Sequence, residues 1–204
     1  MQPYDAVTAL VVVDVQNDFA DPAGGLSVGG GDAIVPALNN EIGAALAAGA
    51  AVFYTQDWHP ESTPHFAKDG GIWPVHCVAD TWGAALHPDL IVAGPIVRKG
   101  THGEDGYSGF TMRDPQTGDT LPTELEGLLR SRGVERVRVV GLATDYCVKA
   151  TALDAIRLGF ETAFAPDLAA AVDLEPGDGL RATDEMREAG ITIAARSAEA
   201  DRTR

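Results

Sequence analysis

Cys147, in the run GLATDYCV, is the residue of this sequence best placed to attack a carbon centre. A β-branched segment precedes it and a helical pattern follows. The thiol therefore falls in the first turn of a helix, where the dipole and unpaired N–H groups favour an anion. Such a setting lowers a cysteine pKa, and the turn before it can offer backbone N–H groups to a developing oxyanion. The competing reading is a small buried thiol, with Thr144 or Asp145 as an N-cap. Asp14, in DVQNDF, directly follows Val11–Val13 and reads either as a working carboxylate or as a turn cap. Lys99, in VRKG, can orient a carboxylate or simply be solvated. Asp57 and His59 are two residues apart in an extended stretch, so their side chains project to one side, with His65 and His76 following in the same segment. A carboxylate and imidazoles suit one divalent transition metal, zinc first, with manganese or iron as alternatives. Read singly, each histidine could be a polar loop residue. Read together, a thiol, a carboxylate and an ammonium point to covalent acyl transfer beside a metal.

These residues need a scaffold, and the hydrophobic pattern supplies one. Ala6–Val13 is a continuous apolar run, as in a strand buried on both faces. Further strands are expected at Ala51–Thr55, Ile96–Arg98, Val137–Val140, Glu161–Ala165 and Ile191–Ala194. Helical spacing covers Ala33–Ala48, Pro122–Arg132, Asp145–Leu158 and Gly179–Ala189, each followed by a glycine suited to end it. This alternation predicts an α/β fold: a three-layer α/β/α domain spanning 1–204, with a mostly parallel sheet of about six strands. In such sheets ligands sit beyond the carboxyl ends of the strands, where Asp14, Asp57, Lys99 and Cys147 fall. Gln56–Leu90 departs from the rhythm, and a long irregular insertion is usually functional. The polar end at 197–204 is expected to fray.

The 204 residues carry 15 Lys+Arg against 30 Asp+Glu, a net charge of −15. That balance disfavours nucleic acid or an anionic membrane as the partner. The two cysteines are too few for a disulfide framework, and no leader or apolar span is evident. A cytoplasmic protein is expected. The oligomeric state stays open, a homo-oligomer included.

Taken together, DVQNDF, TQDWHPESTPHF, GIWPVHC, VRKG with YSGF, and GLATDYCV resemble the isochorismatase-like cysteine hydrolase superfamily, and within it the nicotinamidase/pyrazinamidase group. The likeness runs from about Leu10 to Leu158. It implies a catalytic triad of Cys147, Asp14 and Lys99, and a metal held by Asp57, His59, His65 and His76. It further implies a cis peptide between Leu142 and Ala143, with the Ala143 and Cys147 N–H groups as the oxyanion hole. The family's aromatic substrate contacts fall on Phe19, Trp73 and Tyr107. The implied reaction converts nicotinamide, or a related ring amide such as pyrazinamide, to the acid and ammonia through a Cys147 thioester. In that scheme the metal binds the ring nitrogen and the setting is NAD salvage. No family role is carried onto His102, and Tyr146 sits where pocket shape varies. The rivals are an amidase of carbamoyl or ureido substrates, a vinyl-ether hydrolase, and a silent scaffold on the same sheet.

Overall fold

Successive residues of β1 (Thr8–Val13) point to opposite faces of a sheet, and both faces are dry. Leu10 and Val12 pack with Leu38 and Ile42 of α2 (Val35–Ala47). Ala9, Val11 and Val13 join a second core with Leu125 and Leu129 of α3 (Leu125–Ser131), Ala152 and Ala155 of α4 (Lys149–Arg157), and Met186 of α5 (Asp178–Glu188). The uninterrupted apolar run thus produces the three layers directly. The computed structural model describes residues 3–194, so the tail at 197–204 lies outside the described residues.

Six strands form the sheet, in the order β3 (Ile96–Lys99), β2 (Ala51–Asp57), β1, β6 (Arg136–Leu142), β7 (Glu161–Ala170), β8 (Thr192–Ile193). All neighbours are parallel, so every carboxyl end faces the same edge. Several strands run further than the sequence pattern predicts. β2 reaches Asp57, and Asp57 pairs in register with Lys99, which sets the two charged side chains side by side. β7 continues beyond Ala165 through Pro166, where the register against β6 shifts between Val139 and Gly141. A bulge accommodates a residue that has no N–H to give.

Other departures have local causes. Pro122 belongs to an antiparallel hairpin of β4 (Thr111–Arg113) and β5 (Thr120–Pro122), so α3 begins only at Leu125. A short helix α1 (Asn17–Ala20) follows Asp14. The helix expected from Asp145 opens instead as a π-helical turn, Thr144–Val148, before α4. Gly141 has φ +109°, and a Cβ there would stand 2.3 Å from the Val13 carbonyl oxygen. Only glycine lets β1 and β6 approach this closely, just ahead of Asp14 and the nucleophile turn. No helix among the described residues is long and apolar enough to cross a membrane.

Candidate active site

Asp14, at the end of β1, is fully buried and adopts φ +47°. This left-handed conformation is uncommon outside glycine and turns the side chain off the strand line. Its Oδ1 accepts a hydrogen bond from Thr55 Oγ1 at 2.6 Å. Its Oδ2 stands 2.9 Å from Lys99 Nζ, an ion-pair distance, but outside hydrogen-bond alignment. Lone pairs on Oδ2 therefore remain for the Cys147 thiol. Sγ and the carboxylate oxygens of Asp14 and Asp57 lie within 4.8 Å of one another, and Lys99 Nζ is 3.7 Å from Sγ. Lys99 also donates to Asp57 Oδ1.

A buried ammonium is tolerable only when paired. Burial alone would lower the Lys99 pKa, but the Asp14 and Asp57 carboxylates outweigh it and raise it well above 10.5. Burial likewise works to raise Asp57, yet Lys99 prevails and holds it below the usual carboxylate range. Asp14 goes the other way: burial raises its pKa, and Lys99 only partly opposes this. Cys147 departs from the sequence expectation. Burial pushes the thiol well above its ordinary value, Lys99 opposes this only in part, and the carboxylates of Asp14 and Asp57 add to it. The helix-start argument fails because the turn is buried beside two anions. The resting group is a thiol, and a base must take its proton.

Next to this cluster, ring nitrogens of His59, His65 and His76 come within 4.8 Å of one another, all three side chains buried. His65 Nδ1 donates to Asp105 Oδ1 at 2.7 Å, and His76 Nδ1 to the Pro74 carbonyl at 2.7 Å. Both acceptors fix the proton on Nδ1 and leave the Nε2 lone pair for another partner. Both ring nitrogens of His59 are buried without a hydrogen bond. Gly100 closes over this ring, since a Cβ there would meet His59 Nδ1 at 2.6 Å. Buried polar atoms left unmade cost about 1–3 kcal/mol each, and a divalent cation among these nitrogens would satisfy them. The donor set fits such an ion. Asp57 spans the two clusters, with Oδ1 on Lys99 and Oδ2 3.8 Å from His59 Nε2. Burial lowers the His76 pKa to about 4, so its imidazole is neutral at ordinary pH.

Both clusters border one cavity of about 40 Å³ that opens to solvent. Phe19, Trp73 and Tyr107 all line it, as do Ala143 and Cys147. Trp73 Nε1 donates to the Tyr107 hydroxyl at 3.1 Å. Tyr146 completes this wall, its ring centroid 5.0 Å from Trp73 and 5.3 Å from Tyr107. Phe19 lies 5.4 Å from the His76 ring. The Leu142–Ala143 peptide is cis. His102 is apart from all this, its side chain 85% exposed beside Glu104. The sequence expectations omit Thr55, Asp105 and Asp18. Asp18 Oδ2 accepts the Cys77 N–H at 2.6 Å, and its Oδ1 the Gly25 N–H at 2.8 Å. Its place four residues after Asp14 in DVQND is the one signal that could have marked it.

A family model for the isochorismatase domain matches residues 8–197. A nicotinamidase of Acinetobacter baylyi is 39% identical over 202 residues, covering 90% of this chain and 90% of that protein. A pyrazinamidase of Pyrococcus horikoshii, solved in complex with zinc, superposes with a TM-score of 0.82 at 42% identity, over 93% of this chain and 99% of that one. PnC1 from L. infantum, solved with nicotinate, gives a TM-score of 0.85 at 37% identity, covering 97% of both chains.

Proposed function

The chain belongs to the isochorismatase domain family, and from that premise we propose that it is a nicotinamidase, hydrolysing nicotinamide and related ring amides to the acid and ammonia. The observation that carries this reading is one cavity bordered by a paired thiol–carboxylate–ammonium cluster, a histidine cluster and an aromatic wall. Phe19, Trp73, Tyr107 and Tyr146 line this cavity, an aromatic setting suited to a flat ring.

Asp14 removes the Cys147 proton as Sγ attacks the carboxamide carbon. The raised Asp14 pKa makes it a stronger base than an ordinary carboxylate. The Ala143 and Cys147 N–H groups receive the oxyanion, and one such donor is worth about 3–4 kcal/mol in a comparable hydrolase. As the tetrahedral centre collapses, the C–N bond breaks and Asp14 returns the proton to nitrogen, releasing ammonia. A Cys147 thioester remains. Asp14 then draws a proton from water, which attacks the thioester carbon; the C–S bond breaks, giving the acid and the thiol. Lys99 keeps the Asp14 carboxylate aimed throughout. Asp57, His59, His65 and His76 would hold a divalent ion, zinc before manganese or iron, and such an ion supplies Lewis acidity toward a ring nitrogen. The small-molecule amide is the partner, and the buried free thiols fit a reducing compartment, the cytoplasm.

The test is ammonia release from nicotinamide by the purified protein, with and without a strong chelator. Cys147→Ala should lower turnover at least about 10⁴-fold while leaving bound metal, read by elemental analysis, unchanged. Near-wild-type turnover by Cys147→Ala would exclude the thioester route.

A further inference from the structure

Asp145 stands two residues before the nucleophile and is buried. It is not the N-cap of the turn that contains it, a place that Ala143 takes. Its two oxygens reach across to the segment after β7. Oδ1 accepts the Val172 N–H at 3.0 Å and Oδ2 the Asp173 N–H at 2.9 Å. Val172 lines the cavity together with Cys147, Tyr146 and Phe19. Asp173 sits at φ +51° and passes the connection on: its Oδ1 accepts the Gly179 N–H of α5 at 2.8 Å. Gly179 must be small there, since a Cβ would stand 2.6 Å from Ala171 Cβ. One carboxylate thus joins the turn carrying the nucleophile to the wall that faces it.

We propose that Asp145 is a positioning residue for substrate selection, tying Val172 to the nucleophile turn and so setting the width of the slot that receives the ring; this rests on the ring-amide reading. Hydrogen bonds to a charged acceptor are the stronger kind, and both donors here are backbone groups. The amide of Asp145→Asn keeps one acceptor but turns its NH₂ toward the second N–H. The segment is then released on one side and Val172 recedes.

Two measurements test this. In hydrogen exchange, the Val172 and Asp173 amides should exchange about tenfold faster in Asp145→Asn than in the parent protein, from the loss of one charged hydrogen bond. In kinetics, the KM for nicotinamide should rise about tenfold with a smaller change in kcat, and the preference for nicotinamide over a ring-methylated nicotinamide should fall by a similar factor. Val172→Ala widens the slot while leaving both amides in place. It should lose the preference while the Asp173 amide still exchanges slowly, and it serves where Asp145→Asn does not fold. Unchanged exchange overturns the tie whatever the substrate. Faster exchange with preference intact overturns the selection role, as does a preference unaltered by Val172→Ala. A parent protein inactive on nicotinamide, with exchange still quickened in Asp145→Asn, would uphold the tie and reject the ring-amide reading.

Discussion

Around Lys99 each buried charge meets an opposite one, whereas around His59 imidazole nitrogens meet one another. Lys99 is flanked by Asp14 and Asp57 and is 1% exposed. The histidine cluster is equally buried, yet His59 leaves both nitrogens without a hydrogen bond. Asp57 is the hinge between them, shared by the ammonium and the imidazoles. In the first cluster one ammonium faces two carboxylates, and burial raises the Asp14 pKa against that excess of negative charge. The second is a set of buried imidazoles in which the His59 nitrogens have no hydrogen-bond partner in the protein.

Removing the compensating charge should have the largest effect. Lys99→Met leaves two carboxylates buried against each other, which should destabilise the fold by about 3–5 kcal/mol in urea unfolding and suppress turnover. An unmoved unfolding midpoint would show that the ammonium is dispensable to the cluster.

Acid should next separate the clusters in metal-free protein. His76 titrates near 4 in the fold against an ordinary 6.5. Between those values the unfolded chain binds a proton that the folded chain refuses, so stability falls as pH drops through this window, by roughly 3 kcal/mol in full. Above 6.5 both forms are neutral and His76 contributes no slope. The Asp57 contribution, from a depressed pKa, is lost only as the pH falls below the ordinary carboxylate value. Unfolding curves at a series of pH values would show the two limbs apart, and a flat profile between 6.5 and 4 would contradict the burial of His76.

Breaking the histidine cluster should leave the triad standing. His59→Ala should weaken metal affinity by about a hundredfold or more, and Asp105→Ala, which frees the His65 ring, by about tenfold. Competition with a chromogenic chelator reads both; an unchanged affinity in His59→Ala would remove His59 from the ligand set, and one in Asp105→Ala would show that His65 needs no such support. The smallest effect is expected at Thr55. Thr55→Val deletes one buried hydrogen bond to Asp14, worth about 1 kcal/mol. It should slow turnover by less than about tenfold with metal content unchanged, and a wild-type kcat would show that Thr55 does not steer the base.

Much of this arrangement is legible in the chain. The apolar runs announce a sheet dry on both faces, and the residues just after them, Asp14 and Cys147, fall where parallel strands leave their ligand edge. The partners were harder to see. Asp105 meets His65 from 40 residues away, and Thr55 meets Asp14 from 41. No local period encodes such meetings. Asp145 reads as a cap because Asp before a helix usually is one; its actual acceptor role toward Val172 and Asp173 exists only once β7 lies beside β6.

Residue order marks which side chains could carry chemistry, which strands are buried and that they run parallel, because these follow from polarity, period and connection length. Protonation and pairing do not follow from order. The Asp57–Lys99 register places an ammonium between two carboxylates, and the dry interior multiplies their effect on each other and on Cys147. A thiol that helix position alone would acidify is thereby pushed toward its protonated form.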